Sequence, residues 1–544
     1  MEATRTDTKK NEIKYEKSEL ELMTTYQLRE ICRREKIMNG VIHPLDKEEL
    51  IQAIMRYMGK RQDFFICDKK KGGEERVEEF LKKTRIVIKP CKELYCQSQI
   101  LAYEGLSIEY YDGYTIPYKK ELSGTNAFLM GSDMTLCAIL NLKEHGERQE
   151  KLYLTKAAEL EIRETQRKDY RIFCMGRQTT ESLYHLYYGE HTILPEHIEV
   201  YSIPLIDFVV RKPVTLMLPM AIDFGSVNTT AGVYLDSAYF ENVGEQAAVK
   251  NCRENEINYT AFEDGNGESM LLPSVIGVLA VEEEDYKLLF GYDAIRLANA
   301  SYVDEGFCVF YDVKRWIGEY DKEEEIVDRQ GRRRLVKRAE ILRRFFLYII
   351  RKTENRFKCR ISQVHISSPV KQKHYFRRMF REILPEYMTD QETMLDEGMA
   401  VLYNTISNML EQETLEENEE YEALIIDCGG GTTDLCSYRF RIQDRRAAYK
   451  IYMETAYENG DTDFGGNNLT YRIMQILKIA LVRAKGNQNV SSVKEILEYM
   501  DTDIYRFIDS HGVKAFYQYL EQEYQKAEEI LPTRFADFER YNRS

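Results

Sequence analysis

Two aspartates in the 544-residue chain close matching patterns. In LIIDCGGGTTDLCSY (Leu424–Tyr438) an apolar run ends on Asp427, three glycines follow, and Asp434 stands beyond the turn. In AIDFGSVNTTAGVYL (Ala221–Leu235) the apolar segment ends on Asp223, Gly225 follows, and Asn228, Thr229 and Thr230 lead into an alternating strand. A glycine turn lets backbone N–H groups approach phosphate oxygens with no Cβ between, and Gly429, Gly430 and Gly431 permit positive φ. An aspartate facing phosphate repels it unless a divalent cation intervenes. Mg²⁺ suits that place, because it keeps its waters and takes few carboxylates. One carboxylate seldom holds hydrated Mg²⁺ against a triphosphate, so the first pattern asks for the second. Two such units, about 200 residues apart, predict two related half-domains closing on one nucleotide.

The elements that would position these turns are legible as well. Leu424–Ile426 reads as a strand buried on both faces, because the run is continuously apolar. After the turn, Cys436, Tyr438, Phe440 and Ile442 alternate with Ser437, Arg439 and Arg441, the pattern of a hairpin's outgoing arm. From Met217 onward strand–turn–strand signals alternate with amphipathic helices such as AEILRRFFLYIIRKTENRF, which predicts an α/β arrangement.

The pair of turns resembles the first and second phosphate motifs of the actin, hexokinase and heat-shock ATPase superfamily. Further segments, in order, resemble its DnaK-type chaperone branch. They are LLPSVIGV (Leu271–Val278), FGYDAIRLA (Phe290–Ala298), VFYDVKRWIG (Val309–Gly318), VHISSPVKQKHYFRRMF (Val364–Phe380), LDEGMAVLYN (Leu395–Asn404) and ENGDTDFGGNNL (Glu458–Leu469). The resemblance implies an actin-like ATPase fold binding ATP with Mg²⁺. It implies that Asp223 and Asp427 hold the metal through water, and that Gly225, Ser226, Val227, Gly429, Gly430, Gly431 and Thr432 wrap the phosphates. Lys314 would stabilise charge at the γ-phosphate, Glu397 and Asp434 would place metal and water, and Gly465 and Gly466 would approach the sugar-phosphate side.

Some positions depart from the family pattern. Val227 replaces a threonine of the first loop, and Gly398 stands for a proline. In YQKAEEILPTRF (Tyr524–Phe535), Glu528 and Glu529 occupy places where basic residues are expected and Pro532 stands for serine, which predicts altered base and ribose contacts. No adenosine turn follows Arg534, so the resemblance implies either a fragment of a longer protein or an incomplete second lobe that would leave the adenine exposed.

Length predicts two to four domains. Hydrophobic content of 43% and a formal charge of −15 argue for packed interiors and against a chain-wide nucleic-acid footprint. Eleven cysteines form no CxxC pair. With no signal peptide evident, they read as reduced thiols in a cytoplasmic protein. No apolar run reaches the roughly 18 residues of a membrane span.

Residues 1–18 read as a flexible N-terminus and 60–84 as a linker leading into a helix. Residues 85–216 read as an α+β domain without recognisable chemistry, and 217–544 as the nucleotide-binding domain. Within 19–59, Leu28, Ile31 and Cys32 share one helix face, as do Leu50, Ile51, Ile54, Met55 and Met58. The intervening NGVIHPLDKEEL carries a stop at Asn39-Gly40, Pro44, and Asp46 as N-cap with Glu49 three residues on. This arrangement resembles a SAP-type module. Arg29, Arg33, Arg34 and Lys36 could give weak contact with nucleic acid, or the face could be simply solvated.

Two functions of different class remain open. One is a DnaK-like ATPase switch related to chaperones, with a protein client or co-chaperone as partner. The other is a slow nucleotide-binding scaffold tethered by its N-terminal domains. A small-molecule kinase lacks a separate catalytic aspartate.

Overall fold

The computed structural model describes residues 15, 20–34, 47, 50–51, 54–55, 64–66, 69–97, 99–108, 114–144, 151–155, 163, 169–243, 252–264, 267–282, 285–299, 308–328, 331–387, 395–445, 448–461, 465–484 and 504–531. The fold is mixed α/β. By contacts the chain divides into two compact units. Unit 1 holds residues 1–220, 231–270 and 346–364; unit 2 holds 221–230, 271–345 and 365–544.

In unit 1, helix α1 (Thr25–Arg34) starts with a capping exchange in which the Thr24 N–H donates to Gln27 Oε1 at 2.9 Å. The two expected apolar stripes meet, with Leu28, Ile31 and Cys32 packed among Leu50, Ile51 and Ile54. The expected turn from Asn39 to Glu49, and Lys36 and Met58, lie outside the described residues apart from Lys47.

The main body of unit 1 is a seven-stranded sheet. Its members are β1 (Arg85–Lys89), β3 (Thr115–Pro117), β4 (Thr125–Gly131), β5 (Leu136–Lys143), β6 (Lys151–Thr155), β7 (Tyr170–Met175) and β8 (His197–Leu205), while β2 (Gln99–Tyr103) pairs separately with β9 (Asp207–Arg211). The order is β1-β8-β7-β4-β5-β6-β3; β1 runs parallel to β8 and the other neighbours are antiparallel.

Strand β4 is buried at every position and β5 at all but its last, so both faces of the centre are covered. On one face helices α2 (Gly73–Lys83) and α3 (Arg177–Tyr188) pack Val77, Leu81, Leu183 and Tyr187 against Phe128, Met130 and Phe173. On the other, Ile100 and Phe208 of the β2–β9 pair pack against Leu129, Leu140 and Ile172. Each such side chain contributes about 1.5–3 kcal/mol when fully buried. Helix α2 falls inside the segment read as a linker, yet Val77 and Leu81 make it part of this core. Beyond it, β10 (Val214–Thr215) pairs in parallel with Cys359–Arg360.

Unit 2 contains both glycine turns. Strand β11 (Met220–Phe224) leads through Gly225 to β12 (Asn228–Leu235), and β11 lies between β12 and the strand Val364–Ile366. Helix α4 (Tyr292–Asn299) packs Ala294 against Val275 and Val309. The expected amphipathic helix forms as α5 (Arg338–Phe357), whose Phe345 meets Phe224.

Helix α6 (Glu397–Glu411) covers a three-stranded antiparallel sheet of β13 (Tyr421–Cys428), β14 (Thr433–Asp444) and β15 (Tyr449–Asp461), in that order. β14 buries Cys436, Tyr438, Phe440 and Ile442 as its alternation predicts. β13 corrects the reading of Leu424–Ile426 as buried on both faces, because Leu424 and Ile426 are each 65% exposed. The strand lies at the sheet edge with α6 packed on one face only, against Ala423 and Ile425.

Helices α7 (Gly466–Ala484) and α8 (Val513–Ile530) pack through Ile479, Phe516, Leu520 and Ala527. No helix among the described residues is long and apolar enough to cross a membrane.

Candidate functional site

The first turn is pinned by a residue whose role the sequence does not announce. Its own closure is a hydrogen bond from the Gly225 N–H to the Asn228 carbonyl at 3.1 Å. Fully buried Ser274, in LLPSVIGV, donates its hydroxyl to the Gly225 carbonyl at 2.7 Å and its N–H to the Val227 carbonyl at 2.8 Å. It also shares a hydrogen bond with Thr229 Oγ1 at 2.9 Å. Ser226 is buried and Val227 is 46% exposed. Asp223 sits at the open end of β11, where the Ser367 hydroxyl donates to its Oδ1 at 3.0 Å.

The second turn is the tip of the β13–β14 hairpin. Asp427 and Asp434 are direct cross-strand partners, and the Gly429 N–H donates to the Thr432 carbonyl at 2.9 Å. Like charges placed opposite one another in a ladder destabilise it, so this pair invites a cation. None of Gly429, Gly430 and Gly431 adopts the positive φ that glycine permits. Their small size serves close approach instead. A Cβ on Gly430 would overlap Val227 Cγ2, and one on Gly431 would lie 2.8 Å from Ser226 Oγ. The two turns, far apart in sequence, therefore touch.

Gly465 and Gly466 bring the start of α7 onto the second turn. The Gly466 N–H donates to the Gly429 carbonyl at 3.0 Å and the Asn467 N–H to the Gly430 carbonyl at 2.8 Å. A Cβ on Gly465 would lie 2.5 Å from the Gly430 carbonyl oxygen, so only glycine fits. The contacts of Gly465 and Gly466 are thus with the turn's backbone. Thr462, Asp463 and Phe464 lie outside the described residues.

Beside the turns lies a buried ion pair, Lys314 Nζ to Glu397 Oε1 at 2.8 Å. Lys314 belongs to the 3-10 turn Val313–Glu319. Glu397 opens α6, held there by the Asp396 side chain, which accepts from the Met399 N–H, and by its own N–H bond to the Ser368 carbonyl. Burial pushes the Glu397 carboxyl up to about 7. Lys314 pulls it down, but Asp223 and Asp434 add to the rise. Three carboxylates and one lysine thus share one electrostatic neighbourhood, with Asp427 across the ladder from Asp434.

That surplus of negative charge is the feature that fits a divalent cation. No group of three or more acidic, histidine or cysteine side chains among the described residues is set to chelate a metal directly. A cation here would be held through its waters, the mode open to Mg²⁺.

Of the two acidic residues singled out in YQKAEEI, Glu528 pairs between helices, while Glu529 is exposed. Lys478 of α7 pairs with Glu528 of α8, beside Arg472–Glu521 at 3.2 Å and Arg483–Glu523 at 2.5 Å. Pro532 lies outside the described residues. In the N-terminal module, Arg33 pairs with Glu30 at 2.9 Å and Arg34 donates to the Tyr15 hydroxyl at 2.6 Å, so both have partners within the module.

No protein-family model matches the chain, and no curated protein matches it with significance.

Proposed function

We propose that unit 2 binds ATP with Mg²⁺ at its two glycine turns and hydrolyses it, acting as the nucleotide-driven conformational switch that the DnaK-type resemblance implies, on an actin-like fold. The observation that carries this reading is the buried Lys314–Glu397 pair beside Asp223 and Asp434. A buried ion pair is weak evidence for stability, and strongly shifted acids cluster where chemistry is done. Phosphoryl transfer asks the protein mainly for positioned charge.

In this reading Asp223 and Asp427 hold the hydrated metal, which supplies neutralisation of the phosphates. Gly225, Ser226, Val227, Gly429, Gly430, Gly431 and Thr432 line the phosphates. Lys314 faces the charge that develops in transfer. Glu397, titrating near neutrality, is suited to hold or release a proton beside the attacking water, with Asp434 orienting it. Nucleotide entry requires the Val227–Gly430 contact to part, so the switch is a movement of the turns. A protein client or co-chaperone would read it.

That same contact also favours the second reading, a scaffold that holds nucleotide and turns it over slowly. Single-turnover hydrolysis of ATP by wild type and Lys314→Ala separates the two. The enzyme reading expects measurable wild-type hydrolysis that falls at least ~100-fold in the variant. Equal, near-zero rates with retained ATP binding leave the scaffold. No binding by wild type removes both.

A further inference from the structure

Asp312 is a buried carboxylate that stands between the two glycine turns. Its backbone adopts φ 51° and ψ 40°, a left-handed conformation that Asp reaches more readily than most non-glycine residues. It is only 7% exposed. Its Oδ2 lies 2.7 Å from Arg315 Nε, and its carboxylate also interacts with the Ser226 hydroxyl of the first turn. A buried carboxylate needs such partners, and here they come from the segment that carries Lys314 and from the first turn. Although it precedes the 3-10 turn Val313–Glu319, its side chain does not cap that turn.

Its position gives the reason. A Cβ on Gly431 would stand 3.2 Å from Asp312 Oδ2 and 2.8 Å from Ser226 Oγ. The carboxylate therefore lies where the first turn (Ser226), the second turn (Gly431) and the lysine-bearing segment (Lys314, Arg315) converge. Burial pushes this carboxyl up, while Arg315, Ser226 and Lys314 pull it back.

We infer that Asp312 is a positioning residue that clamps the two glycine turns together and must yield when a polyphosphate enters between them. The inference rests on the nucleotide reading of this site for its ligand, and on geometry alone for the clamp. As an anion facing the place of an anionic ligand, Asp312 opposes phosphate entry twice, by holding the turns and by charge. Arg315, its present partner, becomes available to phosphate as the clamp opens.

Two measurements on the full chain test this, with Asp312→Asn as the shape-preserving variant and Asp312→Ala beside it. In hydrogen exchange, the Gly225 and Gly429 amides, each bonded across its own turn, are expected to exchange about tenfold faster in the variants, with β4 and β5 unchanged. Unchanged exchange at either turn in a folded variant overturns the clamp. In equilibrium binding, Asp312→Asn is expected to tighten ATP about tenfold and leave AMP unaltered, because only ATP carries the phosphates that must pass the turns. Weaker or unchanged ATP binding, or equal shifts for ATP and AMP, overturns the inference. If wild type binds no nucleotide, the proposed function fails by itself, and the exchange result alone decides the clamp.

Discussion

The contact between the two turns can be tested without any ligand, by adding one carbon and then removing another. In Gly430→Ala the new Cβ overlaps Val227 Cγ2, while its next neighbours are Val227 Cβ at 3.4 Å and Asn467 Nδ2 at 3.6 Å, both ordinary contacts. Gly430 has no positive φ, so alanine fits the backbone and the cost is steric. Valine is stiff at χ1 and cannot swing aside freely; overpacking of this kind costs about 1–3 kcal/mol. Loss of unfolded-state entropy offsets about 0.4–1 kcal/mol of that. A net of about 1–2 kcal/mol is a factor of roughly 5–30 in the local opening equilibrium. Val227→Ala removes the clashing carbon, so Gly430→Ala on that background should change opening less than about twofold, a coupling of about 1 kcal/mol or more. Hydrogen exchange read on the hairpin around residues 424–440 reports the local term where a global melt of a multi-unit chain would not. Equal acceleration of exchange by Gly430→Ala in both backgrounds would show that the turns are not in contact, and the shared site would fall with them.

Two further outcomes follow from the same neighbourhood. Gly465→Ala places a Cβ 2.5 Å from the Gly430 oxygen and 2.6 Å from its carbonyl carbon. The start of α7 must then lift off, losing the Gly466 and Asn467 bonds at a cost of about 2–4 kcal/mol; limited proteolysis near residue 466 should accelerate, and wild-type resistance would refute the docking. Glu397 supplies a pH signature. Its folded carboxyl stands at about 7 against an ordinary 4.5, so the folded state holds the proton more tightly than the unfolded chain. Stability should therefore fall as pH rises from about 4.5 through 7, by roughly 3 kcal/mol in all, and level off above. Exchange protection of the α6 and β14 amides from pH 5 to 8, corrected for the intrinsic pH dependence of exchange, should show this slope in wild type and its loss in Glu397→Gln; the same slope in both would mean another group is responsible.

The legible parts of the site are those whose cause is local. A glycine turn after an apolar run, followed by alternation from Cys436 to Ile442, specifies a hairpin wherever the rest of the chain goes, and both hairpins form. The burial of Leu424 and Ile426 has no local cause. A continuous apolar run reads the same on a covered strand and on an edge strand with one open face, and only the strand order β13-β14-β15 separates them. The parallel pairing of Arg85 with His197 is likewise invisible in either segment by itself. The glycines of the second turn serve close approach, which a sequence pattern does not reveal. They permit positive φ but do not adopt it, and the missing Cβ admits Val227 and Ser226.

The same distinction decides how departures from a family pattern are to be read. Glu528 looks anomalous where a basic residue is expected, but Lys478 of α7 answers it across the helix pair, so acid and base have been placed as a matched set. Exchanging both charges, Lys478→Glu with Glu528→Lys, would keep that pairing, and a site that used Glu528 directly would not tolerate the exchange. Val227 is different. Its side chain rests on the opposite turn. A threonine there would be nearly isosteric and would keep the contact while adding a donor. On the proposed nucleotide reading, Val227→Thr should therefore change phosphate binding while the turns stay apposed, and a loosened hairpin in that variant would refute the point.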